Sequence, residues 1–395
     1  MPDVIQHCPT PTELDDLELL VSGAYAPLTR FNEPGSPVTL ALPDGATEVE
    51  LVDPEGLPLA RVDANGDVEA LTHAQYGPFR RLHLTPAQAR EQHAGATFVP
   101  IVDDLTEADL DELRGLGRVV LLTLVGTGTP SLSAVALVRA TLAAVDLLDD
   151  ASVVAVPLPS HGDAETDHAL GAQVVATYAG GDPVHALHSS TTASYPEAIA
   201  AIVAQDRPEP EEQGLVLFFT GLSGSGKSTL AQALTDRLLE QGGRSVTSLD
   251  GDVVRRNLSA GLTFSKADRE TNIRRIGWVA AEISRHGGVA VCSPIAPFAE
   301  TRDQVEEMVE AAGGAFFLVH VATPLEECER RDRKGLYAKA RRGEIPEFTG
   351  ISSPYEMPED PAVRVDTTGR SVADALEDVL VALDEHGYLH LAGRA

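Results

Sequence analysis

The sequence has few cysteines and no long apolar segment. Its three cysteines, Cys8, Cys292 and Cys328, are scattered without metal-ligand spacing and cannot form an even set of disulfides. No run of about eighteen apolar residues occurs, and the longest apolar run, around 119–125, has the length of a strand. The first residues carry neither the basic nor the apolar region of a signal peptide. We therefore expect a soluble cytoplasmic protein with reduced thiols.

Basic residues are scarce relative to acidic ones. The chain has 30 Lys and Arg against 60 Asp and Glu, which gives a formal net charge of −30 at pH 7. A surface of that charge repels nucleic acid and anionic membranes, so we expect neither as a partner. The acidity is typical of a solvated surface that aids solubility, and adaptation to salt is the other interpretation.

A proline-bearing acidic linker, residues 206–213, divides regions of different pattern. After it, buried-strand runs alternate with amphipathic helical stretches, which predicts a parallel sheet covered by helices on both faces over residues 214–395. Before it, strand-like runs such as 37–42 and 49–52 are broken by turn sequences. We expect a small β-rich domain over residues 1–95 and a second α/β domain over residues 96–205.

A glycine-rich motif follows the first strand predicted after the linker. Gly221-Leu-Ser-Gly-Ser-Gly226-Lys227-Ser228 fits the pattern G-x-x-x-x-G-K-S/T between a strand and a helix. Such a loop turns its backbone N–H groups toward phosphate oxygens, and Lys227 would bridge the β- and γ-phosphates of ATP. Lysine occurs at four positions in the whole chain, so its place in this motif is informative. The expected ATP-binding residues are Gly221, Ser223, Gly224, Ser225, Gly226, Lys227, Ser228 and Thr229.

Two carboxylates follow the next predicted strand, in Leu249-Asp250-Gly251-Asp252. The carboxyl edge of a parallel sheet is where such folds bind ligands. Asp250 and the Ser228 hydroxyl are candidates to hold Mg²⁺, and Asp252 to orient or deprotonate an acceptor hydroxyl. A polar turn in which Asp252 caps the following helix is the alternative interpretation. This segment alone does not decide between them.

The segments that follow resemble adenylylsulfate (APS) kinases over roughly residues 212–390. The resemblance is carried by Leu249-Asp-Gly-Asp-x-x-Arg255, by Gly261-Leu-Thr-Phe264-Ser-x-x-Asp268-Arg269-x-x-Asn272-x-Arg274-Arg275-Ile-Gly277, by Arg331-Asp-Arg-Lys334-Gly-Leu-Tyr337 and by Phe348-Thr349-Gly-Ile-Ser-Ser353-Pro-Tyr355. It implies a P-loop NTPase-type α/β fold and an acceptor that carries an adenine ring and a phosphosulfate anion. The acceptor-contacting positions that it implies are Asp252, Arg255, Phe264, Arg269, Asn272, Ile295, Lys334, Phe348 and Thr349.

The residue types suit that acceptor. Phe264 and Phe348 would stack on the adenine, and aromatic stacking on a base contributes on the order of 1–3 kcal/mol. Arg255, Arg269 and the Asn272 amide would hold the anion through charge-assisted hydrogen bonds. Lys334, Lys339 and Arg341 lie in a basic stretch suited to a closing lid.

One segment departs from the family pattern. APS kinases usually carry I-S-P-Y after the third strand, whereas this chain has Ile295-Ala296-Pro297-Phe298. The serine that is phosphorylated in some members is therefore absent. Direct in-line transfer does not need it, because that reaction depends on positioning and charge stabilisation.

The first half resembles ATP sulfurylase more weakly, through residues 16–31 and through Asp53-Pro54-Glu55-Gly56. This implies a PUA-like β-rich domain and a shortened sulfurylase-like α/β domain. Sulfurylases carry Q-x-R-N-P-x-H-x-x-H after a buried strand, but the matching segment here, 123–133, has no histidine or arginine. We interpret the region as having lost catalysis and as serving assembly, regulation or sulfurylase docking.

The sequence therefore predicts an adenylyl-sulfate kinase. We expect it to transfer the ATP γ-phosphate to the ribose 3′-hydroxyl of APS, with Lys227, Asp250 and Asp252 as catalytic residues and Mg²⁺ as cofactor. We also expect a homo-oligomer, namely a dimer, and association with ATP sulfurylase. The alternatives are a bifunctional sulfurylase and kinase, another small-molecule P-loop kinase, and a non-catalytic nucleotide-binding regulator.

Overall fold

A computed structural model describes residues 5–75, 77–188, 194–263 and 265–390, apart from the side chain of Asp252. The chain forms two compact units, Met1–Arg207 and Pro208–Ala395. Their boundary lies within the linker predicted from the sequence. The further division at residue 95 stays a prediction, and residues on both sides of it, such as Val49 and Val120, contribute to one hydrophobic cluster.

The first unit begins with a small sheet and continues as an α/β fold. Its elements are β1 (Ile5–His7), α1 (Pro11–Ser22), β2 (Glu48–Val52), β3 (Pro58–Asp63), β4 (Val68–Ala70), α2 (Pro86–His93), β5 (Thr97–Ile101), α3 (Glu107–Arg114), β6 (Val119–Leu124), α4 (Ala134–Val145), β7 (Ala151–Val156), α5 (Ala164–Ala179) and α6 (Glu197–Asp206), with a 3₁₀ helix at Arg80–Leu82. Strands β1 to β4 pair in chain order, with β1 parallel to β2 and the other pairs antiparallel. Strands β5, β6 and β7 form a parallel sheet.

The strand predicted at 37–42 is wrong. Leu40 donates its N–H to the Asn32 side chain, 3.1 Å away, and accepts from the amide of the same side chain at 3.0 Å. These bonds occupy the backbone groups that a β ladder would need. The predicted strand at 49–52 is confirmed within β2.

The second unit is a doubly covered parallel sheet. Its elements are β8 (Leu215–Thr220), α7 (Lys227–Gln241), β9 (Val246–Leu249), α8 (Gly251–Asn257), α9 (Lys266–Arg285), β10 (Val289–Cys292), α10 (Ala299–Ala311), β11 (Ala315–Val321), α11 (Leu325–Arg331), α12 (Leu336–Arg341), β12 (Val363–Val365) and α13 (Val372–Glu385). The strand order is β12-β11-β8-β10-β9, and each of these pairs is parallel. The predicted fold class is confirmed.

Alternate residues of β8 belong to opposite faces of this sheet. Leu217 and Phe219 pack in the cluster that includes α7 and α13, whereas Val216 and Phe218 pack in the cluster that includes α9 and α10. Because strand side chains alternate between the two faces, the uninterrupted apolar run of β8 fits a strand that is covered on both sides. The carboxyl end of this central strand leads directly into the glycine-rich loop. No helix within the described ranges is long and apolar enough to cross a membrane.

Candidate active site

The glycine-rich loop joins β8 to α7 and depends on glycine at defined places. Gly221, Gly224 and Gly226 have φ angles of 148°, 76° and 103°, in the region that L side chains rarely adopt. A Cβ atom at Gly221 would lie 2.5 Å from the carbonyl oxygen of Val321. The sequence therefore folds into this loop because no side chain obstructs the backbone.

Two threonine hydroxyls hold the backbone of the loop by hydrogen bonds. Thr323 and Thr367 donate their hydroxyls to the carbonyl oxygen of Ser225 at 3.0 and 2.8 Å. Ser225 itself is fully buried, so it shapes the loop from inside. Thr323 and Thr367 follow the neighbouring strands β11 and β12, whose carboxyl ends lie at the same edge of the sheet as that of β8.

Lys227 is the first residue of α7, and its ammonium is almost enclosed. The residue is 6 % exposed, and its Nζ donates to the carbonyl oxygen of Leu222 at 2.7 Å. Burial lowers the pKa of Lys227 to about 8, against the opposing influence of the nearby Cys328 and Asp250. A cation held in this way is costly to bury alone, so it favours an anionic ligand.

Asp250 lies at the carboxyl end of β9, next to β10. The hydroxyl of Ser293, just beyond β10, donates to Asp250 Oδ2 at 3.0 Å. The helix α8 begins at Gly251, and the Val254 N–H donates to the Asp250 carbonyl at 2.9 Å. Asp252 therefore lies in the first turn of α8 and not at the capping position, while its side chain lies outside the description.

Arg269 organises the other half of the site. From α9 its guanidinium donates to the hydroxyls of Thr349 and Ser353 at 3.0 and 3.3 Å, and it lies over the Phe298 ring with 5.5 Å to the centroid. Asn272 follows one helical turn later and is 5 % exposed. Within the described part of the chain, its buried Oδ1 accepts no hydrogen bond. A buried amide oxygen of this kind calls for a donor from a ligand or from water.

Arg255 and the predicted lid lie nearby. Arg255 Nη1 donates to the carbonyl oxygen of Thr263 at 3.4 Å. Tyr337 of α12 donates its hydroxyl to the carbonyl oxygen of Ser223 at 2.8 Å, and its ring meets that of Phe348 edge to face at 5.0 Å. Arg341 pairs with Glu329 at 2.5 Å. The basic stretch is therefore tied to the glycine-rich loop through Tyr337.

A single cleft of about 1030 Å³ joins these groups. Of the predicted site residues, its walls include Ser223, Gly224, Gly226, Lys227, Ser228, Thr229, Asp250, Arg255, Arg269, Asn272, Ile295, Lys334 and Thr349. Gly221, Ser225 and Phe348 do not line it, since the first two support the loop and Phe348 packs on Tyr337. Phe264 lies outside the described residues, so the stacking pair stays a prediction.

The cleft is basic although the chain is acidic. Among its described lining residues are eight cations and two carboxylates, in a chain whose formal charge is −30. A concentration of one charge in a concave site attracts ligands of the opposite charge. The geometry therefore fits a large anionic ligand, or two anionic ligands side by side.

Sequence reasoning did not assign four of these arginines, Arg330, Arg331, Arg333 and Arg370, to the site. Arg331 donates to the Thr367 hydroxyl and carbonyl at 2.8 and 3.0 Å and to the Gly224 carbonyl of the loop at 3.5 Å, and so supports the loop. Its place beside the Asp-Arg-Lys334 run was the available signal. Thr367 and Arg370 follow a three-residue strand and had no such signal.

The chain matches a sequence family, a solved structure and several curated proteins. Residues 213–366 match the sequence model of the adenylylsulphate kinase family. The solved structure of a hexameric APS kinase from Thiobacillus denitrificans is similar with a TM-score of 0.75 and 28 % identity, and the match covers 98 % of this chain and 94 % of that chain.

Curated relatives match in sequence as well. A sulfate adenylyltransferase of Aspergillus terreus is 47 % identical over 195 residues, which covers 49 % of this chain and 34 % of that protein. One of Neosartorya fischeri is 48 % identical over 195 residues, with the same coverage. The chain thus spans about a third of the length of these curated relatives.

Proposed function

The region 213–366 belongs to the adenylylsulphate kinase family, and from this premise we propose that the protein transfers the γ-phosphate of ATP to the ribose 3′-hydroxyl of adenylylsulfate. The products are ADP and 3′-phosphoadenylylsulfate. The observation that carries the proposal is the single basic cleft, in which the glycine-rich loop and the Arg269–Asn272 group face the same space. In-line transfer needs the acceptor hydroxyl opposite the leaving oxygen of ATP, so both substrates must occupy one cleft, and this cleft has both sets of groups.

The loop binds the ATP phosphates. Its backbone N–H groups and the amino terminus of α7 supply donors, and Lys227 supplies a buried positive charge. When ATP arrives, the Lys227 ammonium exchanges the Leu222 carbonyl for phosphate oxygens. Charge that develops on the transferred phosphoryl group is then stabilised by a cation already in place.

The described oxygen ligands fit Mg²⁺. Ser228 and Asp250 both line the cleft, and hydroxyl and carboxylate oxygens are the ligands that this ion prefers. Ser293 holds Asp250 by a hydrogen bond to one carboxylate oxygen. When bound with ATP, Mg²⁺ supplies charge neutralisation on the β- and γ-phosphates.

Arg269 and Asn272 bind adenylylsulfate, together with Arg255, Ile295, Lys334 and Thr349. The guanidinium of Arg269 is oriented by Thr349, Ser353 and the Phe298 ring. The carboxylate of Glu347 lies 3.8 Å from it, so the phosphosulfate would compete with that exposed carboxylate for the positive charge. The buried Oδ1 of Asn272 accepts a hydrogen bond from a donor group of the nucleoside. Asp252 orients or deprotonates the 3′-hydroxyl. Stacking of the adenine between Phe264 and Phe348 stays a prediction, since Phe348 packs on Tyr337 outside the cleft lining.

The phosphate passes directly between the two substrates. Position 296 is alanine, so a phosphoserine intermediate at that place is excluded. Ala296 is part of the cleft wall with a φ of 44°, and its carbonyl accepts from the buried Arg302 at 2.8 Å. This residue therefore shapes the wall and does not take part in the chemistry.

The first unit serves assembly and is not a second catalytic centre. The structural match to a hexameric kinase spans this unit as well, which supports a homo-oligomer for this chain. The number of subunits, the predicted dimer included, and association with a sulfurylase stay proposals. A tube with ATP, sulfate and pyrophosphatase but no adenylylsulfate tests the first unit, and adenylylsulfate formation there would make the protein bifunctional.

An acceptor panel tests the assignment of the substrate. The full chain is incubated with γ-³²P-labelled Mg·ATP and, separately, adenylylsulfate, adenosine 5′-phosphate, gluconate and no acceptor. Label transfer to adenylylsulfate alone supports the proposal, and transfer to a sugar acid instead identifies another small-molecule kinase. Tight ATP binding without transfer to any acceptor identifies a nucleotide-binding regulator.

A further inference from the structure

Three metal-ligating side chains converge in the first unit. Glu112 lies on α3, and His185 and His188 lie in the segment that follows α5. His185 Nε2 is 2.5 Å and His188 Nδ1 2.8 Å from the same carboxylate oxygen, Glu112 Oε1. The three ligand atoms lie within 4.8 Å of one another. Two imidazoles that are three residues apart in the chain thus direct a ring nitrogen toward the same carboxylate oxygen.

The backbone imposes this convergence. Phe98 of β5 donates its N–H to the Pro183 carbonyl at 2.8 Å and accepts from the His185 N–H at 2.9 Å. Residues 183–185 therefore run parallel to β5 as a short extension of the sheet. Leu187, between the two histidines, packs against the cluster that contains Leu110 and Leu113 of α3. Sheet pairing and core packing therefore both place the histidines beside Glu112.

We propose that Glu112, His185 and His188 bind one divalent transition-metal ion of the zinc class. Two imidazole nitrogens and one carboxylate oxygen form a donor set that Zn²⁺ and Co²⁺ accept, whereas Mg²⁺ and Ca²⁺ prefer oxygen ligands throughout. Each imidazole coordinates as the neutral form with its proton on the other ring nitrogen. The metal then takes the place of the two hydrogen bonds to Glu112 Oε1.

The distances are compatible with such an ion. Metal–ligand bonds of about 2.0–2.1 Å in a tetrahedral site place the ligand atoms roughly 3.4 Å apart. The nitrogen atoms now lie 2.5 and 2.8 Å from Glu112 Oε1 and within 4.8 Å of each other. Side-chain rotations that shift the ligand atoms by about 1 Å would therefore admit the ion. The His188 side chain is 85 % exposed, which leaves an entry path and an open position for water.

The expected consequence is a more stable first unit. The ion would link the segment 185–188 to α3. An ion that binds only the folded state stabilises that state, and the stabilisation grows with the logarithm of the free ion concentration. The role is structural, and it is independent of the kinase reaction in the second unit.

Zinc binding to the full chain, without a histidine tag and after treatment with EDTA, tests this proposal. Titration with Zn²⁺ against a competing chelator is expected to show one site per chain that a tenfold excess of Mg²⁺ does not occupy. The double variant His185→Gln with His188→Gln and the single variant Glu112→Gln should each weaken this site at least tenfold. The exposed His168 of α5 is the matched control, and His168→Gln should bind Zn²⁺ as the wild type does.

Two further readouts keep the outcome decisive. Bound Co²⁺ should give the visible absorption of a four-coordinate site in the wild type and lose it in Glu112→Gln, a variant that keeps a hydrogen-bond acceptor for the histidines. Zn²⁺ should raise the thermal midpoint of the wild type and not that of the variants. Equal Zn²⁺ affinity in the wild type and in folded Glu112→Gln, or no site above the chelator background, overturns the proposal.

Discussion

The ammonium of Lys227 donates a hydrogen bond to the carbonyl oxygen of Leu222, 2.7 Å away within the same loop. The loop therefore holds its own cation in the position where the phosphates of ATP would bind. Because the residue is 6 % exposed, this carbonyl is the partner that offsets much of the cost of burying the charge. Under the proposed function, ATP binding would replace this neutral acceptor with charged phosphate oxygens.

Replacement of Lys227 tests this role. Lys227→Ala removes the buried cation, and we expect the turnover number to fall by about 10²–10³ or more, the usual cost of losing one preorganised electrostatic contact. Arg237→Ala is the matched control, since Arg237 is an exposed basic residue of the same helix α7. Steady-state rates at saturating substrates measure both. Near-normal turnover of Lys227→Ala contradicts the assignment.

The pKa of Lys227 predicts a pH dependence of ATP affinity. Burial lowers this pKa to about 8 in the free protein, and bound phosphates must raise it. Below pH 8 the lysine is already charged, so affinity is constant. Above pH 8 binding must take up a proton, so the dissociation constant rises up to about tenfold for each pH unit.

Calorimetric titration with ATP between pH 7 and pH 9.5 measures this dependence. Repeating it in buffers of different ionisation enthalpy detects the proton uptake above pH 8. Lys227→Arg keeps its charge throughout this range, so its affinity should be lower but flat with pH. A wild-type affinity for ATP that does not change up to pH 9.5 would show that the pKa of Lys227 is not lowered.

Arg269 should act on adenylylsulfate and not on ATP. Arg269→Ala removes a guanidinium that Thr349 and Ser353 orient, and a hydrogen bond to a charged group contributes about 1.5–3 kcal/mol. We therefore expect kcat/KM for adenylylsulfate to fall about 10- to 150-fold, with the dissociation constant for ATP unchanged. Arg274→Ala, an exposed arginine of the same helix, is the control. Weaker ATP binding in Arg269→Ala would place this residue on the other substrate.

Gly221 should not tolerate a side chain. Its φ of 148° and the 2.5 Å approach of a Cβ to the Val321 carbonyl mean that Gly221→Ala must displace backbone. We expect the free energy of unfolding of the second unit to fall by several kcal/mol, or nucleotide binding to be lost. Gly242→Ala, with φ of 74° and open space around it, should cost only about 1–2 kcal/mol of backbone strain. Urea unfolding with and without ATP compares the two, and equal stabilities would contradict the packing argument.

The sequence predicts those parts of the site whose residues follow one another directly in the chain. The glycine-rich loop needs a strand, a turn and a helix in immediate succession, so a short pattern specifies it. Arg331 and Thr367 support the same loop from positions 106 and 142 residues further along than Ser225, and no local pattern reports such a contact. The strand predicted at 37–42 failed for a related reason, because the Asn32 side chain satisfies the backbone there. Glu112 meets His185 across 73 residues, and only the fold brings them together.

Product analysis tests the central claim most directly. The full chain with Mg·ATP and adenylylsulfate should form ADP and 3′-phosphoadenylylsulfate in equal amounts, identified by chromatography and mass spectrometry. ADP formation should depend on adenylylsulfate and be lost in Lys227→Ala and in Asp250→Asn. Equal ADP formation without adenylylsulfate, or a product phosphorylated elsewhere than the 3′-hydroxyl, would contradict the account.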